Sequence, residues 1–190
     1  KSVRCFEGVN QRSLGHPNCC TYYAVAFVQQ IRTVLASAVS PEFIFMILQE
    51  PGIILPEVSQ HPEPSVAVEM FPGLKAVDSS GKPHGDSLAL TSAQLASTLN
   101  EQLAPAKGNL GALIINGTET FGIGLTSDGR VCLFDSHGDS TQTEPSLCIV
   151  WDSASVADAC LGISDFIDER SHMLQEMLGD IVDVVLIKHF

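Results

Sequence analysis

The spacing of apolar residues changes partway along the chain, and this change limits the folds that the chain can adopt. Over residues 21–39 the apolar residues recur at helical intervals without an internal Gly or Pro, which predicts a mostly buried helix. Over residues 111–135 the chain instead contains short β-rich runs, with Ser127-Asp128-Gly129 as a hairpin signal. Helices followed by an antiparallel sheet indicate an α+β fold.

The remaining segments complete this outline. Ser40 and Pro41 are typical of a helix start, so a second helix is expected up to Pro51. The Pro-rich stretch 51–83 predicts irregular chain with one short element near 66–70. We further expect a helix at 91–103, strands at 111–117, 120–126, 130–135 and 146–151, one or two helices at 153–178, and a final strand at 181–190.

Composition excludes several classes of protein. The chain has 190 residues, 45% of them hydrophobic, so we expect one domain over 1–190. Its 10 Lys and Arg against 22 Asp and Glu give a net charge of −12, which disfavours nucleic acid and anionic membranes and favours a basic protein partner. No apolar run approaches the ~18 residues of a membrane span. Six scattered cysteines indicate reduced thiols in an intracellular compartment.

A pair of adjacent cysteines, Cys19 and Cys20, stands immediately before the first predicted helix. A thiol at a helix N-terminus lies near the positive end of the backbone dipole, which stabilises the thiolate and makes a nucleophile. The alternative is that both are small packing residues, since free Cys is often buried. A zinc site that also includes His16 has suitable ligand types, but adjacent cysteines chelate one tetrahedral ion poorly.

A nucleophilic thiol needs a base, and His137 has the most suitable setting of the six histidines. It follows a predicted core strand, and Asp135 lies two positions earlier, so both side chains share a face while the strand stays extended. A carboxylate so placed can orient the imidazole. The alternative is a solvated pair in a turn. His61, in the Pro-rich stretch, has no such context.

A thiol hydrolase also needs a side-chain donor for the tetrahedral oxyanion. Gln11, nine residues before Cys20, is the candidate for this role. If the cysteine assignment failed, Gln11 would be an ordinary loop amide.

Three segments together resemble the deubiquitinating cysteine proteases of herpesvirus large tegument proteins and their non-viral relatives. These segments are Val9-Asn10-Gln11, Asn18-Cys19-Cys20 and Leu133-Phe134-Asp135-Ser136-His137. The family has glutamine directly before its nucleophile, where Cys19 stands, so the resemblance makes Cys20 the nucleophile. Ser136 replaces the family's usual proline, the stretch between Gln11 and Cys20 is shorter, and residues 51–90 match nothing in the family.

The resemblance implies a papain-like fold and hydrolysis of the bond that follows the C-terminal Gly-Gly of ubiquitin or a related modifier. Cys20 would attack, His137 would carry the proton, Asp135 would orient His137, and Gln11 would stabilise the oxyanion. No metal or organic cofactor is implied, and a viral member would reside in the virion tegument.

Two further features bear on this substrate. Gly122 and Gly124 lie on the strand expected beside Asp135 and predict either a narrow channel for a di-glycine tail or a bulge in the sheet. Glu69, Asp78 and Asp86 are candidate contacts for a basic partner.

Two other functions remain open at this point. The same Cys-His-Asp set serves acyltransferases and transglutaminase-like enzymes, which differ in the acceptor that they use. The chain could also be an inactive module that binds ubiquitin without cleaving it.

Overall fold

The computed structural model describes residues 1–7, 9–57, 60–83, 87–138, 145–152, 154–173 and 181–190. Its helices are α1 (Cys20–Ile31), α2 (Pro41–Gln49), α3 (Pro64–Glu69), α4 (Ser92–Ala106) and α5 (Val156–Met173). Its strands are β1 (Ser2–Phe6), β2 (Leu74–Val77), β3 (Leu88–Thr91), β4 (Leu110–Asn116), β5 (Glu119–Leu125), β6 (Val131–Asp135), β7 (Ser146–Trp151) and β8 (Ile181–His189).

The strands described form one antiparallel sheet in the order β1-β7-β6-β5-β4-β8-β2, and β3 also pairs with β8. The sheet lies between two helical layers, because alternate residues of each strand face opposite sides. Phe134 of β6 faces the layer of α1, α2 and α3, where its ring stacks on Phe27 with centroids 5.1 Å apart. Leu133 faces the layer of α4 and α5. The predicted α+β fold with a central antiparallel sheet is therefore confirmed.

Most predicted elements occur at the expected places. Ser40 caps α2 by accepting a hydrogen bond from the backbone N–H of Phe43 at 3.2 Å, and the four strands from β4 to β7 match the predicted runs. The strands β1, β2 and β3 were not predicted. Of the helices expected at 153–178, α5 covers 156–173, and residues 174–178 lie outside the described part of the chain.

The first helix is shorter than predicted, since it ends at Ile31 and not at 39. The loop between β5 and β6 forms hydrogen bonds with the backbone groups that a longer helix would pair internally. Ser127 donates its N–H to the carbonyl of Val34 at 2.9 Å, and Asp128 accepts the N–H of Ala36 at 2.9 Å. These distant hydrogen bonds satisfy the polar groups that a longer helix would have paired internally.

Glycines on the central strands allow α1 to lie directly on the sheet. A Cβ at Gly122 would come within 2.8 Å of the carbonyl oxygen of Ala24, and one at Gly124 within 2.5 Å of Cγ2 of Ile31. The side of each glycine where a side chain would stand is therefore filled by α1. Of the two alternatives given for Gly122 and Gly124, the channel for a di-glycine tail is wrong, because α1 fills the space beside them. The bulge is also absent there, since both positions keep a regular pairing register with the neighbouring strands.

Candidate active site

The N-terminus of α1, the end of β6 and the turn between β4 and β5 meet at one end of the sheet. Cys20 is the first residue of α1 and is fully buried. Its Sγ lies 3.8 Å from the carbonyl oxygen of Thr118 in the β4–β5 turn. The thiol thus sits at a helix N-terminus, where the free N–H groups and the helix dipole favour a thiolate.

His137 and Asp135 form a buried pair at the end of β6. The strand ends at Asp135, and the chain then turns so that the Nδ1 of His137 lies 2.8 Å from Asp135 Oδ1. The backbone N–H of His137 donates to the same oxygen at 2.9 Å. Two hydrogen bonds to one carboxylate fix the position and tilt of the imidazole, which is 2% exposed and packs on the ring of Phe121.

Arg170 of α5 holds the second oxygen of this carboxylate. One terminal nitrogen of its guanidinium donates to Asp135 Oδ2 at 2.8 Å and to the carbonyl of Gly138 at 2.7 Å. Its Nε donates to Glu119 at 2.9 Å. Asp135 is fully buried and charged, and these contacts compensate much of the cost of removing that charge from water.

The ionisation of the pair follows from these contacts. Burial raises the pKa of Asp135, but the hydrogen bonds and charge of His137, with the charge of Arg170, outweigh it and lower the pKa below its ordinary value. Burial lowers the pKa of His137, but the hydrogen bond to Asp135 and the nearby Cys20 raise it to about 10. His137 is therefore an imidazolium at neutral pH.

Cys20 is ionised by its neighbours. Burial alone would raise the pKa of its thiol, but the imidazoles of His137 and then His61 beside it lower it to about 5. Because Nδ1 of His137 is on Asp135, the nitrogen that faces the thiol is Nε2, which has no hydrogen bond of ordinary geometry within the described residues. The contact in the free protein is therefore that of a thiolate beside an imidazolium, not an aligned hydrogen bond.

Cys19 occupies a different environment, although it is adjacent in sequence. It packs among the apolar residues of the α1, α2 and α3 layer, and burial followed by the charge of Cys20 raises the pKa of its thiol. Its thiol thus stays protonated under conditions in which the Cys20 thiol is ionised.

Gln11 lies against the same strand end. Its Oε1 accepts the hydroxyl of Ser136 at 2.7 Å, and its Nε2 donates to the carbonyl of Pro17 at 2.8 Å. Its backbone N–H donates to the carbonyl of Ser136 at 3.0 Å. These hydrogen bonds fix the orientation of the amide and leave one of its two N–H hydrogens for another acceptor.

Sequence reasoning missed His61, whose Nδ1 lies 3.6 Å from the Sγ of Cys20. Contact with Cys20 raises the pKa of His61 more than burial and the charge of His137 lower it. No local pattern marks this residue, since it stands between prolines in a stretch without periodicity. Arg170 was also missed, because a single Arg on a polar helix face carries no signal in the sequence.

The acidic residues suggested for partner contact remain untested candidates. Asp78 closes a turn by accepting hydrogen bonds from Ser80 and Lys82, at the end of β2, which lies four strands from β6. Glu69 is exposed at the end of α3, and Asp86 lies outside the described residues. Within the described ranges, no group of His, Cys, Asp or Glu is arranged to hold a metal ion, and no helix is long and apolar enough to cross a membrane.

Two solved structures share this arrangement of helices and strands. One is the ubiquitin-specific protease encoded by a tegument protein of murine cytomegalovirus, in complex with a ubiquitin-based suicide substrate. It has a TM-score of 0.51 and 14% identity, and the alignment covers 98% of this chain and 85% of that one.

The other is a cysteine protease-like domain of the Photorhabdus asymbiotica toxin PaTox. It has a TM-score of 0.55 and 11% identity, with coverage of 99% of this chain and 54% of that one. No family model and no curated protein sequence matches the chain. Identities this low establish a shared architecture alone, and that architecture is the cysteine protease-like fold.

Proposed function

We propose that this chain is a cysteine hydrolase that cleaves the peptide or isopeptide bond after the C-terminal Gly-Gly of ubiquitin or a related modifier. The observation that carries the proposal is the buried Cys20 at the start of α1, facing an imidazole that Asp135 holds in place. A thiolate and an imidazolium paired in this way form the resting state of a thiol protease.

The acylation step needs only these groups. The Cys20 thiolate attacks the carbonyl carbon of the terminal glycine, a C–S bond forms, and the carbonyl oxygen becomes an oxyanion. The free N–H of Gln11 and the backbone N–H of Cys20 are the proposed donors to this oxyanion. When the C–N bond breaks, the leaving amine takes the proton from Nε2 of His137, which leaves a thioester and a neutral imidazole.

Deacylation restores the starting state. Neutral His137 removes a proton from water, and the resulting hydroxide attacks the thioester carbonyl. The C–S bond breaks, and the products are a free C-terminal carboxyl group, the Cys20 thiolate and the His137 imidazolium. Asp135 and Arg170 keep their charges throughout, so the imidazolium is stabilised each time it forms.

The choice of ubiquitin as substrate has two supports. The sequence segments around Gln11, Cys20 and His137 resemble those of tegument deubiquitinases, and a ubiquitin-specific protease shares the fold. The net charge of −12 also suits a partner with a basic surface.

The test is incubation with ubiquitin that carries a C-terminal electrophile, followed by mass spectrometry of the intact protein and of its peptides. We expect a single adduct on Cys20 in the wild type. Cys19→Ala is the matched control, because it removes the neighbouring thiol and leaves Cys20, so it should retain most labelling and cleavage.

The variants give the remaining outcomes. Cys20→Ala should lose both labelling and cleavage, and His137→Ala should lose cleavage. An adduct on Cys19 would reassign the nucleophile, and full activity of His137→Ala would remove the proposed base. Labelling without hydrolysis, but with transfer to an added amine, would indicate an acyltransferase. If nothing is labelled although ubiquitin binds, the chain is a binding module.

A further inference from the structure

Among the described residues, three groups lie against the sulfur of Cys20. The Nδ1 of His61 lies 3.6 Å away, and the carbonyl oxygen of Thr118 lies 3.8 Å away. The third group is His137, the proposed base, which lies close enough to lower the pKa of the thiol. The residue as a whole has no exposed surface. In this conformation the sulfur is closed to a substrate carbonyl, so a group that covers it has to move before attack.

Two of the three groups are held firmly. His137 is buried and makes two hydrogen bonds to Asp135. Thr118 belongs to the two-residue turn that joins β4 to β5, and the ladder on either side pairs Asn116 with Glu119. Moving either group would break buried contacts or strand pairing.

His61 is held much less. It is exposed, and it lies between α2 and α3 in a stretch where the described residues form no helix or strand. Its contact with Cys20 is the only hydrogen bond of its side chain among the described residues. It also has no carboxylate partner there, so it lacks the orienting group that makes His137 suited to act as the base.

We propose that His61 is a specificity-determining residue of this site, which covers the thiol in the free protein, slows its reaction with small electrophiles and is displaced when a substrate binds. The proposal rests on the proposed hydrolase function of Cys20. Its main test uses a small electrophile and so does not depend on which substrate is correct.

The chemical consequence is selective reactivity. A thiolate at a helix N-terminus would otherwise react with any small electrophile or oxidant. With His61 in place, such a molecule must compete with the imidazole for the sulfur. A protein substrate instead uses binding energy gained elsewhere on the surface to move His61 away.

The experiment measures the rate at which iodoacetamide modifies Cys20, by peptide mass spectrometry from pH 5 to 9, in the wild type and in His61→Ala. The control is His16→Ala, which removes another partly exposed imidazole near the start of α1 that has no contact with the thiol. Urea unfolding midpoints for all three proteins show whether each variant folds. Because His61 is exposed, its removal should leave the midpoint unchanged.

The alkylation rate at full ionisation of Cys20 separates the covering of the thiol by His61 from the electrostatic effect of the His61 charge. Loss of the His61 charge raises the thiol pKa, and a more basic thiolate is about threefold more nucleophilic per pKa unit. After this correction, we expect the plateau rate of His61→Ala to exceed that of the wild type by about tenfold or more, well beyond any change in thiolate basicity. A corrected plateau within threefold of the wild type, or an equal rise in His16→Ala, would overturn the proposal.

A second arm uses ubiquitin with a C-terminal electrophile. At a saturating concentration the bound probe has already displaced His61, so His61→Ala should accelerate the reaction within this complex much less than the iodoacetamide reaction. Equal acceleration of both reactions would overturn the claim that binding moves His61. Absence of ubiquitin labelling in both proteins would refute the proposed substrate, while the iodoacetamide arm would still decide the role of His61.

Discussion

The ionisation of Cys20 leads to a prediction about how its reactivity depends on pH. The thiol pKa is lowered to about 5 from the ordinary value of 9.0, so the thiolate should persist down to unusually acidic solution. The charged and titratable groups around it are His137, His61 and the thiol of Cys19, with Asp135 and Arg170 behind His137. His137→Ala removes the stronger of the two stabilising imidazoles and is the perturbation of choice.

The expected size of the effect can be worked out from these values. An ordinary thiol ionises tenfold more per pH unit well below its pKa, so its alkylation rate should rise about 100-fold from pH 6 to 8. A thiol of pKa about 5 is about 90% ionised at pH 6, so its rate should rise only about 1.1-fold over the same range. In His137→Ala, fewer charges oppose the rise in the thiol pKa that burial causes. The alkylation rate should therefore increase more steeply with pH and approach the profile of an ordinary thiol.

The assay is the rate of iodoacetamide modification of Cys20 in short pulses, resolved by peptide mass spectrometry. The urea-unfolded chain serves as the reference, because its Cys20 has no structured neighbours. This comparison uses the shape of the pH profile and not the absolute rate. If the folded wild type showed the steep profile of the unfolded chain, the claim that His137 ionises Cys20 would be refuted.

Turnover should follow the two groups together, since acylation needs both the thiolate and the imidazolium. The pair has apparent pKa values near 5 and 10, so activity should rise through the lower value and fall through the upper one. Initial rates of ubiquitin cleavage across this range would measure both limbs. A rate that kept rising above pH 10 would show that the imidazolium is not required.

Substitutions at three other positions test the supports of the site. Arg170→Gln should lower the free energy of unfolding by about 2–3 kcal/mol, because Asp135 loses its second partner. It should also make the pH profile of Cys20 alkylation steeper. Arg170→Lys should restore this profile if the charge of the side chain is what matters. Gly122→Ala should cost about 1–3 kcal/mol in urea unfolding, since its Cβ meets the backbone of α1, and a neutral result would disprove the tight packing. Ser136→Ala should lower kcat with little change in KM, because Gln11 loses the hydroxyl that orients its amide; unchanged kcat would argue against the role of Gln11.

The sequence allowed prediction of the elements whose stability depends on their own apolar pattern. The strands β4 to β7 and the helix α2 follow from local periodicity and capping. The end of α1 could not be predicted, because the groups that terminate it belong to a loop near Asp128, far along the chain. The strands β1, β2 and β3 were not predicted, and each is formed by pairing with a strand far away in the sequence, β7 or β8.

The residues of the candidate site also fall into those that the sequence indicated and those that it did not. Residue type and context selected Cys20, Asp135, His137 and Gln11, and the structure brings all four to one end of the sheet, while their roles remain a prediction. His61 approaches the thiol only because of how the irregular stretch before α3 is placed, which no spacing rule describes. The channel expected at the glycines of β5 was wrong, because a glycine in the sequence does not show which neighbour fills the space beside it.

The distance along the chain between the nucleophile and its base affects the protein during synthesis. At ~5–20 residues per second, a ribosome needs about 6–24 s to pass from Cys20 to His137. Throughout that interval the emerging polypeptide carries a cysteine without the imidazole that ionises it. Incomplete or truncated products thus carry only an ordinary thiol, and a newly made molecule gains its ionised cysteine when its second half has joined the first.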